Sequence, residues 1–308
     1  MKLMAPECYS DFQCIAGACR HSCCIGWEID IDPASLQRFQ KIPGEMGERL
    51  RQNIQMDGDT ACFQMVGWEE RCPFLNEDGL CDMILALGEN SLCQICTDHP
   101  RYRNFYADRT EIGLGLCCEA AGRLLLGQKG PFRLTVMEDD GADEPADSEE
   151  TELLALRDSL FAMLQNRSIP IAQRVENLLP VSEIDWDSWA DYLLTLERMD
   201  EHWAELLEQL PREPVQALEE WMEIPLEQLI CQLLYRHLPG ALEDGDVDGR
   251  IRFCALVWQL ITRLFQLNNS TTLDELVELA RLYSSEIEYS DENVCAILEQ
   301  LAQEYEGR

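Results

Sequence analysis

The sequence predicts a mainly α-helical protein: a loop-rich cysteine-cluster, metal-binding region over residues 1–130, an acidic linker over 131–150, and an acidic all-α helical bundle over 151–308. Three observations predict it. Twelve of the fifteen cysteines fall within the first 118 residues. The stretch 139–150, DDGADEPADSEE, is acidic, carries Gly, Pro and Ser, and lacks apolar periodicity, which marks a linker. Beyond 151, apolar residues recur at helical spacing almost throughout.

Within the first region, 34–41 and 46–56 read as short helices. Leu80 to Leu87 reads as another, stopped by Gly88, and Glu119 to Leu126 continues helically behind Cys117-Cys118. In the bundle, Leu153, Leu154, Leu156, Leu160, Phe161 and Leu164 form one apolar stripe. Similar stretches follow at 186–210, 213–222, 225–238, 250–267, 272–285 and 291–305. Pro180, Pro211, Pro214, Pro225 and Pro239 fall between or at the starts of these stretches, where proline is tolerated. Asn269-Ser270-Thr271-Thr272 supplies an N-cap before Leu273. Trp186, Trp189, Trp203, Trp221 and Trp258 are expected in the bundle core. Cys231, Cys254 and Cys295, on apolar helical faces, are expected to be buried as well.

Net charge is −34, and most of it lies late in the chain. Residues 1–130 hold 19 acidic and 12 basic side chains, whereas 131–308 hold 39 and 12. Such a surface repels a polyanion, which argues against nucleic-acid binding, and attracts a basic protein partner. The first residues lack a continuous apolar stretch of the secretory type, and no window approaches about 18 uninterrupted apolar residues. A cytoplasmic protein without membrane insertion is therefore expected. In that compartment clustered thiols more often bind metal than form disulfides.

Three uses compete for the thiols. Zinc prefers four tetrahedral ligands, often as two short-spaced pairs, and Cys93-x2-Cys96 with Cys19-x3-Cys23 fits that habit. An iron–sulfur cluster takes thiolates from separated segments. A redox dithiol at Cys93 and Cys96 lacks the βαβ surroundings such pairs usually have. Radical S-adenosylmethionine chemistry of the usual type is disfavoured: Gly26 stands where the third cysteine of C-x3-C-x2-C would be, and the βα alternation of a barrel is missing. Gly113-Leu114-Gly115 lacks the third glycine of a dinucleotide loop.

The order of motifs is more specific than any one of them. Phe12-Gln13-Cys14 leads through Cys19 to Cys23-Cys24-Ile25-Gly26-Trp27-Glu28. Cys72-Pro73-Phe74-Leu75 and Gly79-Leu80-Cys81 follow, then Cys96-Thr97-Asp98-His99-Pro100-Arg101, and last Cys117-Cys118-Glu119-Ala120-Ala121. This arrangement resembles the flagellin lysine-N-methylase family, which is related to a broader group of zinc- or iron-chelating cysteine-cluster proteins. The resemblance covers about residues 1–130 and returns weakly at Tyr235-Arg236 and Asp244-Gly245-Asp246.

The resemblance implies a 4Fe-4S cluster, with zinc as the alternative metal, and methyl transfer from S-adenosylmethionine to flagellin lysines. It maps metal ligands onto Cys14, Cys19, Cys23, Cys24, Cys72, Cys81, Cys96 and Cys117. His99 stands where the family has tyrosine or phenylalanine. Cys118 takes a proline position, and Cys8, Cys62, Cys93 and Cys118 fall outside the pattern. Trp27 is a candidate to shield a cluster or line a cleft, and Arg101 to pair with a cofactor carboxylate. Glu28, Asp30, Asp32, Tyr102, Tyr106 and Glu119 are the first region's candidates for aligning an amine; none is singled out as catalytic. The rival functions are a non-catalytic zinc- or iron-binding adaptor and an iron–sulfur electron carrier or redox sensor.

Overall fold

The computed structural model describes residues 1–142, 145–214 and 217–306. In chain order the first elements are β1 (Lys2–Pro6), β2 (Asp30–Ile31), α1 (Pro33–Lys41), α2 (Gly44–Gln52), β3 (Ile54–Asp57), β4 (Thr60–Phe63), α3 (Asp82–Leu87), α4 (Gln94–Asp98), β5 (Arg101–Phe105) and β6 (Arg109–Leu114). Then come α5 (Glu119–Leu126), β7 (Leu134–Asp139), α6 (Ser148–Leu164), α7 (Ile171–Glu176), α8 (Trp186–Leu193), α9 (Glu201–Leu207), α10 (Glu223–His237), α11 (Ala241–Asp244), α12 (Val247–Leu267), α13 (Leu273–Tyr283) and α14 (Asp291–Glu306). The protein is mainly α-helical, and among the described residues no helix is long and apolar enough to cross a membrane.

The chain forms two compact units. A cysteine unit comprises Gln13–Tyr102 and Cys118–Ala120; a helical unit comprises Met1–Phe12, Arg103–Cys117 and Ala121–Arg308, of which 143, 144, 215, 216, 307 and 308 lie outside the described residues.

In the cysteine unit, β2, β4 and β3 form an antiparallel sheet in that order. Asp32 starts α1 by accepting a hydrogen bond from the Ser35 amide at 2.9 Å, with Pro33 in the first turn where its missing N–H costs nothing. Phe63 stacks on Phe39 at 6.1 Å and meets Phe74 edge-on at 5.1 Å. With Ile29, Ile31, Leu50 and Met83 these rings make the core, each full burial worth about 1.5–3 kcal/mol. The helix expected over 46–56 stops at Gln52, because Asn53 leaves helical geometry and Gly58-Asp59 turns β3 back onto β4; Gly58 supplies the required positive φ of 55°.

In the helical unit, β5, β6, β1 and β7 form a sheet, with β1 parallel to β6 and antiparallel to β7. Strand β7 lies within the stretch expected as a linker: Leu134–Asp139 pairs with the first strand of the chain. Helices α10 and α12 are buried on most sides and form the centre of the bundle. Tyr235 donates to the Ile112 carbonyl at 3.1 Å and Gln232 to the Leu114 carbonyl at 3.0 Å, which ties α10 to β6. Arg157 and Glu111 form a buried two-point ion pair, at 2.6 and 2.9 Å, between α6 and β6. Buried Glu227 takes both Arg167, at 2.8 Å, and Arg174, at 2.7 Å.

Several expected helices hold with shifted ends, as at α5, α6, α10, α12, α13 and α14. The Thr272 cap is a reciprocal capping box with Glu275. The stretch 186–210 is instead two helices, with Asp200 opening the second through a bond from the His202 amide. Of 213–222, residues 215 and 216 lie outside the described residues, and only Glu220–Met222 forms a short 3-10 turn. Trp186, Trp189, Trp203 and Trp258 are buried as expected, and Trp221 is half-buried against Phe265. Cys231 and Cys254 are buried, but Cys295 is exposed: it faces outward on α14, whose buried side presents Val294, Ile297, Leu298 and Leu301.

Candidate metal centre

Local hydrogen bonding explains how the short motifs hold their cysteines. In Cys72-Pro73-Phe74-Leu75-Asn76, the Asn76 side-chain oxygen accepts from the amides of Asp78 at 3.0 Å and Leu80 at 2.9 Å, while its nitrogen donates to Asp82 at 3.0 Å. That closes the loop so that Leu75 bridges to Cys81. Gly79 turns it with φ of 71°, and Gly17 packs so tightly against it that a Cβ there would sit 2.6 Å from the Asp78 carbonyl oxygen. Arg49 braces the same loop through Asp82 at 2.6 Å and lies over the Phe74 ring at 5.1 Å. The Cys72 amide donates to the Cys24 carbonyl at 2.8 Å, joining two segments 48 residues apart.

Cys81 stands at the N-terminus of α3 and Cys93 at that of α4. Asp32, already the cap of α1, also accepts from the Gln94 amide at 2.9 Å, and Arg38 donates to the Leu92 carbonyl at 2.6 Å. Helix α1 therefore fixes the start of α4. The bonds from Ser35 and Gln94 hold the Asp32 carboxyl low, at about 2, with the Ser35 side chain the leading cause.

The cysteines fall into two groups. Cys72 and Cys93 are buried in the unit's core, and Cys24, Cys81 and Cys96 pack on the same core half-buried. The sulfurs of Cys93 and Cys96 are 3.4 Å apart. Burial pushes the Cys72 thiol up to about 12, and the charges of Cys24, Cys81 and Cys93 push the same way. Within the close pair, the shared hydrogen bond lowers Cys93 and raises Cys96. Raised values of this kind keep most of these sulfurs as neutral thiols, and a cation among them would favour the thiolate form instead. The second group comprises Cys14, Cys19, Cys23 and Cys118, whose charges act on one another. Cys19 donates to the His21 carbonyl at 3.0 Å and stands 3.8 Å from buried Glu119. Glu119 holds Arg20 by its amide and its guanidinium, both at 3.0 Å. A hydrogen bond between Cys23 and Cys24 joins the groups; it lowers Cys24 to about 7 and raises Cys23.

Of the eight cysteines marked in the sequence, Cys24, Cys72, Cys81 and Cys96 thus meet in the first group and Cys14, Cys19 and Cys23 in the second. Cys117 belongs to the helical unit, where it hydrogen-bonds Tyr289. Cys93 and Cys118 join the groups although they lie outside the family pattern; the C-x2-C spacing was the available signal for Cys93. Cys62 is buried in β4 and Cys8 in the helical unit. Trp27 packs on the core beside Cys24 and donates to the Cys23 carbonyl at 2.8 Å, its ring 6.4 Å from that of His99. Arg101 donates to the carbonyls of Thr97 at 3.3 Å and His99 at 3.5 Å. Glu28 and Asp30 are exposed, Tyr102 is half-buried, and Tyr106 is buried.

Soft thiolate donors from three separated segments suit zinc or an iron–sulfur cluster and suit calcium or magnesium poorly. Among the described residues, no group of three or more His, Cys, Asp or Glu is already arranged closely enough to hold a metal ion.

No family model matches the chain, and no solved structure does. Curated proteins do. Over 129 residues the chain is 29% identical to proteins named Lysine-N-methylase from Salmonella choleraesuis and Salmonella typhimurium, covering 39% of this chain and 31% of each relative. Over 143 residues it is 28% identical to the Flagellar biosynthetic protein FliU of Salmonella muenchen, covering 41% of this chain and 83% of that protein. The match thus spans about a third of the length of the lysine-N-methylases and about two fifths of this chain. Over about two fifths of its length, the chain is thus similar to proteins named for lysine N-methylation and flagellar biosynthesis, as the order of its cysteine motifs led one to expect.

Proposed function

We propose that the protein is an S-adenosylmethionine-dependent protein-lysine N-methyltransferase acting on flagellin, built around a cysteine-ligated 4Fe-4S cluster. The observation that carries the reading is that relatives named for lysine N-methylation share a chain whose thiols from three distant segments gather on one core. The ligands of the cluster are drawn from Cys24, Cys72, Cys81, Cys93 and Cys96. Cys14, Cys19, Cys23 and Cys118 shield it or hold a second metal. An iron left without a cysteine would supply a docking point for the amino and carboxylate groups of the cofactor.

The chain's own residues have the remaining tasks. Trp27, covering one side of the core cysteines, excludes water. Arg101, two residues beyond His99, is placed to pair with the cofactor carboxylate after leaving the carbonyls it now holds. The substrate lysine must arrive as the neutral amine, because an ammonium has no lone pair. Desolvation and the neighbouring sulfonium both favour that form. When bound, S-adenosylmethionine would supply the methyl group to that neutral amine, whose proton passes to bulk water before transfer. A net charge of −34 suits a lysine-bearing partner.

A second reading has one observation in its favour. Cys93 and Cys96, 3.4 Å apart at the start of a helix, have the form of half a zinc knuckle, so a zinc-binding adaptor is the rival. Metal and sulfide analysis of the full chain purified without oxygen separates the two. About four irons and four sulfides per chain support the proposal, whereas colourless protein with stoichiometric zinc rejects the cluster. Mass spectrometry of unmethylated flagellin incubated with enzyme and S-adenosylmethionine tests the activity. Absence of lysine methylation by cluster-replete protein refutes it.

A further inference from the structure

We propose that the hairpin 66–71 of the cysteine unit is a docking site for a lysine side chain of a basic protein segment, with the Trp68 indole as platform and Glu69 and Glu70 as counter-charges. This rests on the methyltransferase reading for the source of that lysine, the protein to be methylated, and adds the surface that receives it.

The hairpin is small and firmly held. Val66 and Arg71 exchange both backbone hydrogen bonds, at 2.7 and 3.0 Å, and the Glu70 amide donates to the Gly67 carbonyl at 3.3 Å. Trp68 and Glu69 therefore stand at the apex of a four-residue turn. The turn passes through two positive φ angles, 76° at Gly67 and 51° at Glu70. Glycine takes that conformation freely, but for glutamate it is disfavoured and persists only where the surroundings hold it. Here the Gly26 amide donates to the Glu70 carbonyl at 3.2 Å, and Ile25 bridges to Arg71. The same contacts tie the hairpin to the segment that carries Cys24 and Trp27. Trp68 is four residues from Cys72, a span of at most about 14 Å of chain, so a segment docked at the apex has its neighbouring residues within reach of the core thiols.

What the hairpin presents fits a cation. Trp68 is 90% exposed, more than any other large apolar side chain among the described residues, and nearby Val66 is 53% exposed. An indole is usually buried, so one held out in water leaves apolar surface for a partner to cover. Among the described residues, the side chains of Trp68, Glu69 and Glu70 make no hydrogen bond, ion pair or ring contact. Arg71, half-buried at the base, pairs with neither glutamate. A purely apolar partner would strip water from two carboxylates and give nothing in return, and an anion would be repelled. An ammonium over the indole face is attracted by the ring quadrupole, and the flanking carboxylates supply opposite charge. Lysine meets both demands, with its aliphatic stem against the indole and its head beside the carboxylates.

Fluorescence anisotropy on the full chain at about 150 mM salt tests the site. The probe is a labelled peptide of alternating lysine and serine, and the control is the same peptide acetylated on every lysine. A net charge of −34 attracts any polycation, so the readout is the difference between parent and variant. Trp68→Ala should weaken the lysine peptide by about three- to fivefold. The double variant Glu69→Gln with Glu70→Gln should weaken it by a similar factor and flatten its salt dependence. Neither change should affect the acetylated peptide. All three positions are exposed, and melting temperature is recorded, so loss of fold in one variant leaves the other decisive. A parent that does not bind the lysine peptide, or a folded variant that binds it as tightly as the parent, overturns the proposal. Light scattering covers another occupant: a parent dimer that Trp68→Ala dissolves, with peptide affinity unchanged, assigns the hairpin to self-association and overturns it too. Flagellin left unmethylated by cluster-replete parent, while the variants still differ in peptide affinity, refutes the methyltransferase reading and leaves the docking site standing.

Discussion

Replacing Arg157 by methionine tests the main electrostatic contact of the helical unit. Arg157 is 3% exposed and its partner Glu111 is 0% exposed, and two hydrogen bonds of 2.6 and 2.9 Å join them. Burial works against the guanidinium, but the bonds and charge of Glu111 more than offset it and hold the arginine charged. The same side chain lies over the rings of Tyr235 at 5.4 Å and Phe161 at 5.8 Å. Methionine keeps much of that packing and removes the charge, leaving the Glu111 carboxylate buried and alone. Breaking one side of such a pair costs about 3–5 kcal/mol. Replacing both sides with apolar residues of similar volume is often neutral, so Arg157→Met with Glu111→Leu should recover most of the loss. Urea unfolding at pH 7, followed by tryptophan fluorescence from the helical unit, measures both. A loss under about 1 kcal/mol for Arg157→Met, or a double variant no more stable than the single one, would refute the reasoning.

Two further outcomes follow from the cysteine unit. Cys24→Ala and Cys96→Ala should each lower bound iron and reduce flagellin methylation by about tenfold or more, whereas Cys62→Ala, in β4 and outside both thiol groups, should leave iron unchanged; equal iron in all three preparations would remove the core group as the ligand source. Burial first, and then the charge of Arg101, hold His99 down at about 4. A depressed folded-state value means that this residue's stability contribution is complete above about 6.5 and is lost as pH falls through about 4. His99→Phe should remove that part of the acid destabilisation, measured as melting temperature between pH 7 and pH 4, and an unchanged profile would show that His99 does not contribute.

The helices of the second half were readable because their signals are local. Apolar spacing, prolines at the boundaries and the cap at Thr272 each act within a few residues, and α10, α12, α13 and α14 lie where those signals place them. The sheet of β1, β6 and β7 was not readable. Lys2–Pro6 pairs with Leu134–Asp139 across more than 120 residues, and nothing in either short stretch announces the other. Cys295 shows the limit of periodicity: the pattern placed it near an apolar stripe, but only the packing of α14 decided which side faces outward.

By itself the sequence determined the thiol-rich composition, the helical character of the second half and the order of motifs that resembles the flagellin lysine-N-methylases. Tertiary structure alone decided which thiols are neighbours: Cys93 beside Cys96 and on one core with Cys24, Cys72 and Cys81, Cys118 with Cys14, Cys19 and Cys23, and Cys117 in the helical unit. The physical reason is range. A helix is specified by contacts three and four residues apart, whereas a sulfur meets distant sulfurs only where separate segments bury their apolar sides against one another.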